Sequence, residues 1–158
     1  MHVTLTIVTM ASPPPMNRTA TLALDTPPAG ARVRAGILGI GSYSPDGVIT
    51  NAELEARVET SDAWIMERTG IRERRRTGSG ETASSMGAEA ARAALERAGN
   101  PRVDAVLVAT ASPDTLFPST ACLVQRHLDL GGIPAFDLGA ACSGFIYGLV
   151  VAESLIRS

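Results

Sequence analysis

The residues with the most chemical potential fall in one string, Phe136-Asp137-Leu138-Gly139-Ala140-Ala141-Cys142-Ser143-Gly144-Phe145. The residues up to Leu138 read as a buried strand, the small residues after it as a turn, and the apolar run from about Cys142 as a helix. A thiol at a helix start faces the positive end of the macrodipole and backbone N–H groups that the helix leaves unpaired, and both favour thiolate. That lowers the thiol pKa and makes a nucleophile. The small side chains leave room for a carbonyl to approach, with N–H groups nearby to hold an oxyanion. The same position also suits a small buried hydrophobe, the commoner fate of a free cysteine. A second pair, Trp64 and Arg68, stands four apart on a predicted helix. That spacing puts an indole and a guanidinium on one face, where they can hold a flat ring between them. A half-buried tryptophan beside a solvated arginine is the plainer alternative.

Other features argue against competing chemistries. Gly39 and Gly41 follow an apolar run, but Ser44 stands where the third glycine of a dinucleotide fingerprint belongs, which disfavours a nicotinamide site. Arg72, Arg74, Arg75 and Arg76 cluster locally, yet Glu73 interrupts them and no aromatic interleaves. They read as a solvated face rather than a nucleic-acid surface. Cys122 falls on the apolar side of a predicted helix and reads as core. With Cys122, Cys142, His2 and His127 dispersed along the chain, a structural zinc site needing about four ligands is not expected. The absence of Cys-x-x-Cys spacing suits a reducing cytosol.

The elements that must position these groups alternate short apolar runs with helical patterns, the signature of an α/β domain with a largely parallel sheet. Ala35–Tyr43 is expected as a first strand, turning at Pro45-Asp46-Gly47. Thr50 and Glu53 offer a capping box for a short helix through Val58. Ser61 caps a second helix through Arg68, which Gly70 stops. Ile71–Arg76 reads as an exposed strand. Residues 81–98 repeat Ala, Met and Leu at helical spacing up to Gly99. Asp104–Thr110 and Pro134–Leu138 read as buried strands. Between them Ser119 caps a helix through Leu128.

Composition sets the frame for that reading. In 158 residues, 45% hydrophobic and 19% charged, there is material for one globular core. The formal charge of −2 balances 14 basic residues, all arginine, against 16 acidic ones, so no global field draws nucleic acid or an acidic membrane. Residues 1–33 are rich in Thr, Ala and Pro without sustained periodicity and are expected to be a flexible extension, with Met16 an alternative start. Residues 34–158 form the folded part. No secretory leader is evident at the start, since no Arg precedes the apolar stretch from Val3 to Val8. The longest apolar run, Gly139–Ile156, is broken by Ser143, Glu153 and Ser154 and is not read as membrane-spanning.

Taken together, the motifs resemble those of the β-ketoacyl-(acyl-carrier-protein) synthase III family of thiolase-like condensing enzymes. Ala140-Ala141-Cys142-Ser143-Gly144-Phe145 looks like the family's active-site string, and four further segments agree in order and spacing. These are Gly39-Ile40-Gly41-Ser42-Tyr43-Ser44-Pro45, then Thr60–Ile65 followed by Arg68–Arg74, then Ala109–Pro113 with Phe117–Cys122, and Pro134–Asp137. The resemblance covers residues 34–158. It implies an α/β fold, the thiolase-like αβαβα sandwich, of which this chain would be most of the first half. It also implies that Cys142 is a nucleophile taking an acyl group from acyl-CoA for condensation with malonyl-acyl carrier protein at the start of fatty-acid synthesis. Trp64 and Arg68 would grip the adenine of coenzyme A, with Thr60 close to the nucleotide. Phe117 would shape the acyl pocket across a homodimer interface, with ordinary core packing the plain alternative. No permanently bound cofactor is implied, nor any nucleic-acid or membrane partner, and the setting is cytoplasmic. In the family the second half supplies the His and Asn that promote malonyl decarboxylation. His2 and His127 match neither, so these residues alone are expected to be inactive in condensation. A non-catalytic truncated remnant, an assembly partner and a polyketide-type synthase are the alternatives.

Overall fold

A computed structural model of the chain describes residues 35–158. The expected extension at 1–33 and the alternative start at Met16 lie outside the described residues. The elements run β1 (Gly47–Thr50), α1 (Asn51–Glu55), α2 (Asp62–Thr69), β2 (Glu73–Arg76), α3 (Ala83–Arg97), β3 (Val106–Ala109), α4 (Thr120–His127), β4 (Ala135–Leu138), a 3-10 turn (Ala141–Ser143) and α5 (Gly144–Arg157). β1 and β2 form an antiparallel ribbon pairing Gly47 with Arg76 and Thr50 with Glu73. β3 and β4 pair in parallel, Val106 with Ala135 and Ala109 with Leu138.

Local sequence accounts for the helix starts. The Glu53 N–H donates to Thr50 Oγ1 at 3.3 Å while the Thr50 N–H donates to Glu53 Oε2 at 2.8 Å, the expected reciprocal cap. Ser61 Oγ accepts from the Trp64 N–H at 3.1 Å, and Gly70, at φ +67°, closes α2 in the left-handed region that glycine tolerates best. Thr82 and Ser119 cap α3 and α4 in the same way. α1 is shorter than expected, ending at Glu55 rather than Val58.

The parallel pair is the heart of a layered unit. Asp137 reaches α4, so by the two-residue period of a strand Ala135 and Asp137 face α4 while Phe136 and Leu138 face α5. The α4 side is closed, with Val108 3% exposed and Val124 and Ala121 fully buried, joined by Ala90 and Val103 in one core cluster. The α5 side is open. Phe136 is 36% and Phe145 46% exposed, and Ile146, Tyr147 and Val150 are exposed as well. The expectation that Pro134–Leu138 is a buried strand is therefore corrected: its α4 face is closed, whereas α5 covers the other face only in part among the described residues.

A second correction concerns Ala35–Tyr43. It contains no strand, only an isolated bridge at Tyr43, and Ile37, Leu38 and Ile40 are exposed. The segment instead lays Gly39 and Gly41 on α3, where a Cβ on Gly41 would stand 2.0 Å from the Ala90 carbonyl oxygen and one on Gly39 2.3 Å from that of Ala94. An apolar run bounded by Gly and Pro signals an extended chain, but a strand also needs a paired edge. Here close approach to a helix takes its place.

Candidate active site

Cys142 sits in the 3-10 turn between β4 and α5 and is exposed. The expected place, at the start of the helix, is correct to within one turn. The sequence reading missed what shapes it. Ala141 has φ +43°, a left-handed conformation that costs a non-glycine residue energy and is held only when its surroundings impose it. Those surroundings are identifiable. The Ser143 N–H donates to the Ala140 carbonyl at 2.9 Å, and Asp137 ties the end of β4 to α4 by accepting from the Thr120 and Ala121 N–H groups at 2.8 and 2.7 Å. Gly144 lets α5 begin hard against β3, since a Cβ there would lie 2.9 Å from the Ala109 Cβ. Left-handed φ at an alanine leaves no composition signal. The bulk-free Gly144 was legible only as one small residue among several.

α5 differs from the other α-helices of the described residues. Its N-cap, Ser143, makes no side-chain capping bond, whereas Thr50, Ser61, Thr82 and Ser119 all do. The preceding 3-10 turn takes that role: the Ser143 and Gly144 N–H groups donate to the Ala140 and Ala141 carbonyls, and Cys142 sits within that turn. An apolar cavity of about 210 Å³ adjoins Cys142, walled by Leu107 and Ala109 of β3, Leu138, and Phe145, Gly148 and Leu149 of α5. A thiol at a helix start next to an apolar recess is an arrangement that can receive an acyl group.

The other expected site residues stand apart from that cavity. Trp64 and Arg68 share one face of α2 as their spacing predicts, with Arg68 Cζ 5.8 Å from the indole centroid and Trp64 55% exposed. Thr60 is half-buried just before the Ser61 cap. Phe117, at 89% exposed, is not core, and neither it nor Thr60, Trp64 or Arg68 lines the cavity at Cys142. Its loop is fixed a few residues earlier. Asp114 accepts from the Ser84 N–H at 3.0 Å and from the Ser84 hydroxyl, and Ser84 Oγ also lies 3.4 Å from His127 Nε2. Burial works to raise the Asp114 pKa, but hydrogen bonds from the Ser84 and Thr82 hydroxyls and the Ser84 and Ala83 N–H groups outweigh it and hold it below its ordinary value. Cys122 is half-buried, its sulfur 3.6 Å from the Ala135 carbonyl oxygen. Among the described residues no group of His, Cys, Asp and Glu is arranged to hold a metal ion, and no helix is long and apolar enough to cross a membrane.

No family model matches the chain. Individual proteins do. Over 127 residues it is 54% identical to the β-ketoacyl-(acyl-carrier-protein) synthase III of Alkalilimnicola ehrlichii, covering 78% of this chain and 39% of that relative. The crystal structure of 3-oxoacyl-(acyl-carrier-protein) synthase III from Aquifex aeolicus superposes with a TM-score of 0.72 at 50% identity, over 77% of this chain and 40% of that one. A priming β-ketosynthase of a polyketide biosynthetic pathway superposes with a TM-score of 0.73 at 36% identity, over 82% of this chain and 40% of that one. The chain thus spans about two fifths of the length of these relatives, and the part it matches is amino-terminal. Half-identical sequence on a shared backbone places the described residues in a thiolase-like α/β fold, and the chain belongs to the β-ketoacyl-(acyl-carrier-protein) synthase III family, of which it represents an amino-terminal part.

Proposed function

We propose that this chain carries the acyl-accepting part of a condensing enzyme of fatty-acid initiation. The observation that supports it most is the strained turn at Ala141, which presents an exposed Cys142 at the start of α5 beside an apolar cavity. In the proposed step the Cys142 thiolate attacks the thioester carbonyl of acyl-CoA. The carbonyl oxygen, now an anion, is held by the backbone N–H of Cys142 itself. The tetrahedral intermediate collapses with loss of CoA thiolate, which takes up a proton, and the acyl group remains on sulfur. The cavity of about 210 Å³ offers an apolar recess for an acyl chain beside the sulfur.

Trp64 and Arg68 hold the adenine of CoA, with Thr60 near the nucleotide. Two stacking contacts of about 3.5 Å each need a gap of about 7 Å, so the 5.8 Å between guanidinium and indole opens by roughly 1 Å to admit the ring. Phe117, exposed on its loop, contributes to the acyl pocket of a partner copy in a homodimer. The acceptor of the acyl group is malonyl-acyl carrier protein, no cofactor stays bound, and the setting is cytoplasmic. The 158 residues hold the nucleophile but no match to the decarboxylating His and Asn, so by themselves they load acyl groups without condensing them. The likeness to a priming polyketide ketosynthase favours a second reading, the same chemistry in polyketide initiation.

Intact-mass spectrometry after incubation with acetyl-CoA tests the proposal. One acetyl adduct is expected on the parent chain and none on Cys142→Ala, although Cys122 remains. An adduct that persists in Cys142→Ala, or a parent that never loads, overturns the assignment and favours a non-catalytic role. Turnover of malonyl-acyl carrier protein by the 158 residues alone would refute the division of labour.

A further inference from the structure

We infer that Asn51 is a positioning residue for nucleotide recognition, holding both ends of α2 and through them the Trp64–Arg68 pair. The inference rests on that pair being the CoA clamp. Asn51 is the first residue of α1 and only 2% exposed. Its carboxamide is engaged on both sides: Nδ2 donates to Asp62 Oδ1 at 2.6 Å and to the Ile71 carbonyl at 2.9 Å, and Oδ1 accepts from Arg74 Nη1. Asp62 is the first residue of α2 and Ile71 follows the Gly70 that closes it. One buried amide therefore ties the start of the helix, its exit and the β2 strand to α1.

That tether matters because apolar packing holds α2 weakly, its start being otherwise tied to α1 by Glu55 Oε1, which accepts from the Asp62 N–H. Ile65 is the helix's only buried residue, so apolar packing leaves its rotation about that contact weakly fixed, and polar anchors must set which way Trp64 and Arg68 face. Opening the pair to admit a flat ring while keeping both faces parallel needs a helix whose ends do not drift. The chemistry demanded at position 51 is two donors and one acceptor, which asparagine supplies and aspartate does not. An aspartate there would set a second carboxylate against Asp62 and strip the Ile71 carbonyl of its donor.

The test compares Cys142 acylation from acetyl-CoA with acylation from the acetyl thioester of N-acetylcysteamine, which has no nucleotide. CoA binding is followed in parallel by the fluorescence of Trp64, the single tryptophan of the chain. In Asn51→Asp the ratio of the two acylation rates should fall by about tenfold, the CoA dissociation constant should rise to match, and Trp64 emission should shift in the absence of ligand. A role confined to stability would depress both acylations alike and leave the ratio. Asp62→Ala removes one anchor from an exposed position without emptying a buried one, and should lower the ratio by a smaller factor. It decides the matter if Asn51→Asp does not fold. A ratio that stays at the parental value in these variants while Trp64→Ala lowers it overturns the inference alone. A parental ratio in Trp64→Ala overturns the clamp, and the role of Asn51 with it.

Discussion

Gly144→Ala should slow acyl loading far more than it destabilises the fold. The added Cβ would stand 2.9 Å from the Ala109 Cβ, against about 3.5–4.0 Å for carbons in contact, so the first turn of α5 or strand β3 must yield by roughly 0.6–1 Å. A methyl on a strand cannot rotate out of the way, and the shift falls two residues from Cys142. Overpacking of this kind costs about 1–3 kcal/mol, while replacing a helical glycine by alanine returns up to about 1 kcal/mol. A net loss of no more than about 2 kcal/mol is expected. Misplacing a reacting group by about 1 Å can cost about a hundredfold in rate, so acylation of Cys142 by acetyl-CoA should drop by one to two orders of magnitude. Timed intact-mass measurements give the rate and thermal melts the stability. Gly148→Ala is the matched control: its Cβ would meet Leu138 Cδ1 at an ordinary 3.6 Å. It should stabilise α5 by about 0.5–1 kcal/mol, so its melt isolates the helix-propensity part of the stability change. A Gly144→Ala protein that loads at the parental rate would show that the close approach of α5 to β3 does not set the thiol's position.

Three further outcomes follow from contacts described above. Because Asp114 has a depressed pKa in the fold, it contributes stability that is complete above the ordinary carboxylate value and lost as pH falls through its lower folded value. The melting temperature of the parent should therefore exceed that of Asp114→Asn at neutral pH, and the gap should close towards pH ~2; a gap independent of pH refutes the link. Asp137→Ala, which frees two N–H groups at the start of α4, should cost about 1–2 kcal/mol in urea unfolding, and an unmoved midpoint would show the cap to be dispensable. With Phe145, Ile146, Tyr147 and Val150 all exposed along α5, the chain should associate in solution. Size-exclusion chromatography with light scattering should give a mass above the 16.4 kDa of one copy, and a monodisperse monomer would contradict the prediction.

What was legible in the sequence had local causes. Ser61 and Gly70 bracket α2 because a cap and a left-handed stop act within a few residues, and the Thr50–Glu53 box is of the same kind. The position of Cys142 could be read because strand, small residues and helix follow one another directly. Ala35–Tyr43 misled because pairing is decided by a partner strand elsewhere in the chain, and a run with Gly39 and Gly41 can settle on a helix instead. Ala141 at positive φ and the two-ended engagement of Asn51 depend on contacts between segments 11 to 23 residues apart or on strain imposed by them, and neither leaves a period or a motif. Asn51 was visible only as a member of a capping sequence.

The two pairs of strands share no hydrogen-bonded edge. β1, α1 and β2 pack on one another and α1 on α2, while α4 and α5 pack on β3 and β4. Cooperativity in a small domain is carried by such shared contacts, so the ribbon with α1 and α2 can open on its own. Amide exchange should then separate into two tiers, a faster one over residues 47–76 and a slower one over Val106, Val108 and Val124. Trp64 and Arg68 would then lie in the faster tier, and the strand and turn that carry Cys142 in the slower one.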